Sequence, residues 1–291
     1  MEHAVLGAGA IGGLVGTAVA SLGESVTLLV RSEKLPGYPL NMSVERPSGA
    51  ITAVAKVAAT LANPVDVLWV ATKTYQLKTA LQAVHSSPRC IVPLLNGVDH
   101  VEILRAHFGH DRVLPATVAV EAEKIAPGRF AQRSPFVNLN LAASGEQVLG
   151  GIVARLRDLE FTCKFIQDEQ TLLWSKLCFL GPFALVTSAS GMNKEEIYAD
   201  AEWKRKLISA IAEACTVAKA SHAKVDAAQI QAITDGLPSG MRSSMQKDLA
   251  SRRQLELDAI GGPIVRGGEH YGIDVSTTAM LIAVIHAKAT E

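Results

Sequence analysis

Residues 1–13 read MEHAVLGAGAIGG: an apolar run that breaks into closely spaced glycines and then continues as small apolar residues. His3–Gly7 reads as a strand, residues 10–22 as an Ala-rich helix, and Ser25–Val30 (SVTLLV) as a second strand. Gly7-Ala8-Gly9-Ala10-Ile11-Gly12 therefore fits G-x-G-x-x-G between a strand and a helix, where each glycine has a task. Gly7 makes the tight turn, Gly9 lets the backbone approach a pyrophosphate, and Gly12 allows close helix–strand packing. The anion would rest on the free N–H groups of Ala10, Ile11 and their neighbours at the helix start.

The end of the second strand refines this reading. Dinucleotide sites of the NAD type carry an acidic residue there for the ribose hydroxyls. This chain has Arg31-Ser32, with Lys34 just beyond, and a guanidinium beside a hydroxyl suits a 2′-phosphate. NADP is the expected cofactor.

Further along, DVLWVAT (66–72), a helix starting near Tyr75, CIVPLLN (90–96), a helix from Val101 and VLPATVAVEA (113–122) continue the alternation. Near-continuous apolar strands separated by helices imply a parallel sheet covered on both faces. Arg129–Ala143 reads as further strand pairing and Gln147–Leu159 as a helix. Near residue 165 the texture turns helical: Glu169–Ser188, Lys194–Ala220, Ala227–Thr234, Ser243–Tyr271 and Val275–Lys288. The expected architecture is an α/β Rossmann-like N-terminal domain (1–165), followed by an all-α C-terminal domain (166–291).

Two charges fall on apolar helical faces. Lys176 shares a face with Leu172, Leu173, Leu177 and Leu180; Glu256 shares one with Met245, Leu249, Ile260 and Ile264. A buried ammonium needs a partner, and burial lowers its pKa toward the range useful for acid–base work. Convergence of Lys176 and Glu256 on one site is one reading. In the other, Lys176 snorkels to solvent and Glu256 pairs with Arg252 or Arg253.

Composition excludes several classes. With 48 % apolar and 19 % charged residues the chain builds a sizeable core. Lys plus Arg equals Asp plus Glu at 28 each, so no basic excess marks a nucleic-acid or membrane-surface partner. No signal peptide or membrane span is read, so a cytoplasmic location is expected. The four cysteines, widely spaced in apolar surroundings, read as buried free thiols. The eight histidines show no metal-ligand spacing, so no metal is expected.

Taken together, these residues resemble the ketopantoate reductase (2-dehydropantoate 2-reductase) family over essentially the whole chain. The resemblance rests on GAGAIGG, Lys73 in ATKTYQ, Asn96-Gly97 in LLNGV, Lys176 in LLWSKL, SSMQKDL, and ELDAIGGPIVRGGEHYGI. It implies NADPH-dependent reduction of 2-dehydropantoate to pantoate, in pantothenate biosynthesis, in a cleft between the two domains. Lys176 then resembles the general acid, and Glu256 the glutamate that binds and orients substrate. Asn96 resembles the asparagine near nicotinamide and substrate, and Ser244 the serine on the substrate carboxylate. Lys73 would assist binding.

The chain departs from the family pattern at three places. Leu180 stands where an asparagine contacts substrate, Asp99 where a second glycine is usual, and Val275 where proline is common. Leu180 keeps open a reductase of a different small 2-oxo acid. A non-catalytic dinucleotide-binding regulatory module is the alternative from another class, against which Lys176, Glu256, Asn96 and Ser244 together argue. The apolar surface of such a helical domain points to a homodimer.

Overall fold

Strand β1 (Glu2–Leu6) is buried from His3 onward, so it must be covered on both faces. The computed structural model, which describes residues 1–290, shows how. Helix α1 (Ala10–Ser21) returns the chain to β2 (Ser25–Leu29), which pairs with β1 in parallel. The next strands are β3 (Asn41–Glu45), β4 (Ile51–Val54), β5 (Lys56–Ala58) and β6 (Val67–Val70). Helix α2 (Leu77–Leu81), β7 (Cys90–Pro93) and α3 (His100–Phe108) follow. Five of these strands form a wholly parallel sheet in the order β5-β2-β1-β6-β7.

Small residues let α1 be buried on two sides. A Cβ on Gly12 would lie 2.9 Å from the Val5 side chain and one on Gly16 2.9 Å from Leu28, both in the parallel sheet. On the opposite side, a Cβ on Gly13 would lie 2.1 Å from the Phe130 ring. Each glycine removes a side chain where two layers meet, which is why this helix lacks an exposed polar face.

Phe130 belongs to a second sheet that was not expected. After β8 (Ala116–Ala119) come β9 (Ala122–Ala126), β10 (Arg129–Gln132), β11 (Val137–Ala142), α4 (Glu146–Asp158) and β12 (Phe161–Ile166). Strands β4-β3-β10-β9 form a mixed sheet, and β12-β11-β8 a third. The run 113–122, read as one strand of the parallel sheet, is divided between β8 and the start of β9. Val113 keeps only an isolated bridge to Ile91. Strands β3 and β4 went unread because they are short and alternate exposed with covered residues, a weaker signal than the unbroken apolar runs.

The second unit is helical. Helix α5 (Glu169–Ser190) starts at Asp168, whose side chain accepts from Thr171 N at 2.6 Å, and stops at Gly191 in the left-handed region. Among the described residues it is the one helix long and apolar enough to cross a membrane, but 78 % of its apolar window is buried in the fold. Lys194–Ala220, expected as one helix, is broken at Asp200 into α6 (Lys194–Ala199) and α7 (Ala201–Ala220). The Asp200 carboxylate accepts from Glu202 N and Trp203 N, which turns a helix interior into a cap. Helix α8 (Ala227–Asp235) follows.

Ser243–Tyr271 is likewise two helices, α9 (Ser244–Ala250) and α10 (Leu257–Tyr271), before α11 (Ser276–Thr290). Arg252 at φ +52 lies in the turn between them.

The compact units are Met1–Leu95 with His100–Gln167, and Asn96–Asp99 with the residues from Asp168 onward. The expected boundary at 165 moves two residues because Phe161–Ile166 is a strand paired with β11. The larger difference is that Asn96–Asp99 packs with the helices. All four cysteines are buried and unbridged, and burial pushes Cys90 up to about 12 and Cys163 to about 11.

One core group gives an acid-stability prediction. His3 is fully buried and accepts from the Trp69 indole at 3.2 Å; burial lowers its pKa to about 4. The neutral imidazole is the folded form, so its contribution is complete above about 6.5 and is lost as pH falls toward about 4. Unfolding free energy measured in urea should drop by roughly 3 kcal/mol across that interval. His3→Gln, whose amide still offers the indole an acceptor, should flatten the slope.

Candidate active site

The glycine loop lies at the carboxyl end of β1. Gly7 has φ +103, and a Cβ there would sit 2.8 Å from the Ala71 carbonyl oxygen. For Gly12 the Cβ would meet the Gly7 carbonyl at 2.1 Å. Packing therefore explains both. It does not explain Gly9, where a Cβ would find nothing within 4 Å. That open side faces an uncapped helix start: Gly9 offers no side-chain cap, the first turn has no acidic residue, and the ladder begins with Gly13 N to Gly9 O at 2.9 Å. The N–H groups of Ala10, Ile11 and Gly12 precede that ladder. A bare, electropositive helix end with room for a ligand backbone fits a dinucleotide pyrophosphate.

Sheet topology assembles the rest of this site. From β1 the chain winds outward through β2 to β5, then crosses to β6 on the other side of β1. The carboxyl ends of β1 and β6 are thus the switch point where open α/β sheets bind ligands. Arg31 follows β2 at this edge, its side chain 63 % exposed and its Nη1 4.0 Å from Glu33. An exposed pair of that length contributes little, so the guanidinium is available to an anion. Lys73 follows β6 at the same edge, half-buried, opening a short 3₁₀ turn.

The two charges singled out from the sequence meet in the helical unit, with Asn96 between them. Lys176 Nζ donates to Asn96 Oδ1 at 3.0 Å, and Asn96 Nδ2 donates to Glu256 Oε2 at 3.2 Å. This arrangement fixes the amide: its oxygen faces the ammonium and its nitrogen the carboxylate, whereas a flip would set like against like. Glu256 is buried, and stands at the start of α10 with φ −88 and ψ 35, not within a helix as expected. Arg253, one of its two suggested partners, instead donates to Asp248 at 2.7 Å. Burial lowers the Lys176 pKa to about 8, while the charge of Glu256 acts against that fall.

Asn96 is held in place by its neighbours. Gly97 has φ +84, and a Cβ on it would lie 2.3 Å from the Ala259 carbonyl in α10. Asp99 pairs with Arg266, which also donates to Asp258 at 2.7 Å. Sequence reasoning missed Arg266, since nothing in a helix interior announces a contact with residue 99. Ser244 begins α9 and is exposed, not bonded to Lys176, Asn96 or Glu256. Its buried neighbour Ser243 is the cap, 2.7 Å from Thr187 Oγ1 on α5. Leu180 lies one turn beyond Lys176 and is half-buried. Among the described residues no cluster of three or more His, Cys, Asp or Glu is placed to hold a metal.

A titration tests this electrostatic balance. With labelled lysine, the Lys176 NMR signal should titrate near 8. In Glu256→Gln the midpoint should fall, because the carboxylate that favours the ammonium is gone. A midpoint near 10.5 in the unaltered protein would mean that the ammonium is not desolvated.

Comparison with known proteins places this architecture. Residues 3–145 match the family model described as ketopantoate reductase PanE/ApbA, and residues 168–289 match that of its C-terminal part. The 2-dehydropantoate 2-reductase of Caulobacter vibrioides is 32 % identical, covering 98 % of both chains. Two solved structures share the fold at lower identity. One is D-mandelate dehydrogenase with NADH and anilino(oxo)acetate (TM-score 0.87, 21 % identity, 100 % of this chain and 99 % of that one). The other is a dimeric ketopantoate reductase from Staphylococcus aureus (TM-score 0.81, 20 % identity, 100 % and 99 %). With both halves matched in order and a relative similar along its whole length, the chain belongs to the ketopantoate reductase PanE/ApbA family.

Proposed function

We propose that this protein reduces 2-dehydropantoate to pantoate with NADPH, using Lys176 as the general acid. The observation that carries the reading is the hydrogen-bonded series Lys176–Asn96–Glu256, which holds a desolvated ammonium with a pKa of about 8. A bound reduced nicotinamide dinucleotide supplies the hydride for the substrate's carbonyl carbon. The chain's own residues manage the oxygen. Lys176 gives a proton to that oxygen as it becomes an alkoxide, and its charge stabilises the alkoxide before transfer is complete. Lys176 is left as a neutral amine and regains its proton from solvent.

Asn96 accepts from Nζ and so aims the ammonium, while Glu256 fixes the amide and favours the protonated lysine. For the dinucleotide, the open side of Gly9 and the N–H groups after it suit the pyrophosphate, and Arg31 with Ser32 suits a 2′-phosphate. Lys73 is assigned to binding at the same strand edge, and Ser244 to the substrate carboxylate. A homodimer is part of this reading, supported by the dimeric ketopantoate reductase of Staphylococcus aureus that shares the fold.

Leu180 favours a second reading. An apolar side chain one turn from the acid offers no partner to the hydroxyl of 2-dehydropantoate, so a branched 2-oxo acid without that hydroxyl is the rival substrate. The rival is tested by comparing kcat/KM for 2-dehydropantoate and 2-oxoisovalerate. An advantage of orders of magnitude for the former removes it.

Following NADPH absorbance with 2-dehydropantoate tests the main reading. Lys176→Met should lower kcat by about 10²–10⁴-fold. The rate should fall as pH rises through about 8, where the acid loses its proton. Arg31→Ala should raise the KM for NADPH and leave that for NADH nearly unchanged. If NADPH binds but no 2-oxo acid is reduced, the protein is a non-catalytic dinucleotide-binding module.

A further inference from the structure

Lys124, on β9, reaches the glycine loop from a sheet on the other side of α1. Its Nζ donates to the Ala8 carbonyl oxygen at 2.7 Å and lies 3.4 Å from the Tyr38 hydroxyl. The ammonium is 5.3 Å from the centre of the Tyr38 ring and 6.0 Å from that of Phe130. Tyr38 is itself buried, in the segment that follows Arg31, and its hydroxyl also accepts from Gly128 N at 3.4 Å. One ammonium thus ties together the β1–α1 loop, the segment after β2 and the β9–β10 hairpin.

Charge is the unexplained part of this arrangement. The group is half-buried, and burial lowers its pKa, so holding it charged is unfavourable unless an anion compensates. Its partners are a carbonyl, a phenol and two ring faces, and among the described residues no carboxylate pairs with it. A methionine would fill the same gap without the desolvation. Ala8 is one residue before Gly9, where the uncapped end of α1 adds positive potential of its own. Two uncompensated positive features lie side by side, and an ammonium has a third N–H to offer an incoming oxygen.

We propose that Lys124 is a cofactor-binding residue whose ammonium balances the pyrophosphate charge of the dinucleotide at the α1 N-terminus. The inference rests on the dinucleotide reading above. It assigns to this site a cation 116 residues from the glycine loop, one that no motif contains.

Direct binding separates the cases. Dissociation constants for NADPH and NADH are measured by titration calorimetry on the unaltered protein, Lys124→Gln and Lys124→Arg. The Gln variant removes the charge and keeps a donor for the Ala8 carbonyl. It should weaken both dinucleotides alike, by about tenfold or more, whereas Arg should recover most of the loss. In turnover, Gln should raise the KM for NADPH with little change in kcat.

Equal affinities in the Gln variant and the unaltered protein would overturn the proposal. So would a loss confined to NADPH, which would put Lys124 on the 2′-phosphate. An equal loss in Gln and Arg would show that shape rather than charge is needed, and would overturn it too. Failure of the unaltered protein to bind either dinucleotide removes the underlying reading, and this proposal with it. Should Gln fail to fold, Lys124→Met is the second charge-free variant.

Discussion

The hydrogen-bonded series Lys176–Asn96–Glu256 depends on a backbone contact. Gly97 lies against α10 so closely that a single added carbon would stand 2.3 Å from the Ala259 carbonyl, and its φ of +84 suits glycine. That approach lets Asn96–Asp99 pack as part of the helical unit, although β7, just before it in the chain, belongs to the sheet. Asn96 then falls between α5 and the start of α10, and its amide is long enough to link an ammonium to a carboxylate. Without it, the desolvated Lys176 would lack the acceptor that now sits 3.0 Å away.

Burial sets the chemistry of each titratable group according to what surrounds it. Cys90 and Cys163 are pushed beyond the range where a thiolate forms at neutral pH, so they serve as apolar filling. His3 is held neutral under the Trp69 indole and contributes to the core. In both His3 and Lys176 a carboxylate opposes the desolvation, Glu24 for the first and Glu256 for the second. The amine starts from 10.5 and so ends at about 8, whereas the imidazole falls from 6.5 to about 4.

Packing and ligand access divide the glycines of the first loop. Gly7, Gly12, Gly13 and Gly16 are each accounted for by a neighbouring atom of the fold. Gly9 is left with open space and faces the uncapped helix end. Two-sided burial of α1 also explains Lys124: the mixed sheet that covers α1 through Phe130 brings the next strand's lysine to the loop. A helix of this composition could not lie between two sheets if its small residues were larger.

By itself, the sequence determined what depends on near neighbours in the chain. The G-x-G-x-x-G loop between a strand and a helix, the unbroken apolar runs of β1, β6 and β7, and the change to helix after the sheet could all be read. So could the identity of Lys176, because a charge in an apolar stripe is visible without coordinates. Glu256 stands out in the sequence on a continuous helical face, and with the break at Arg252 no such face forms. Helix ends were less legible: Asp200 and Arg252 interrupt patterns whose apolar periodicity runs on through the break, and a cap is decided by one side chain or one φ. Tertiary structure alone decided which distant residues meet. It put Asn96 between Lys176 and Glu256, set Arg266 on Asp99, and brought Lys124 to Ala8. These contacts span 80 to 167 residues, and hydrogen bonding at that separation depends on the path of the backbone, which no local pattern encodes.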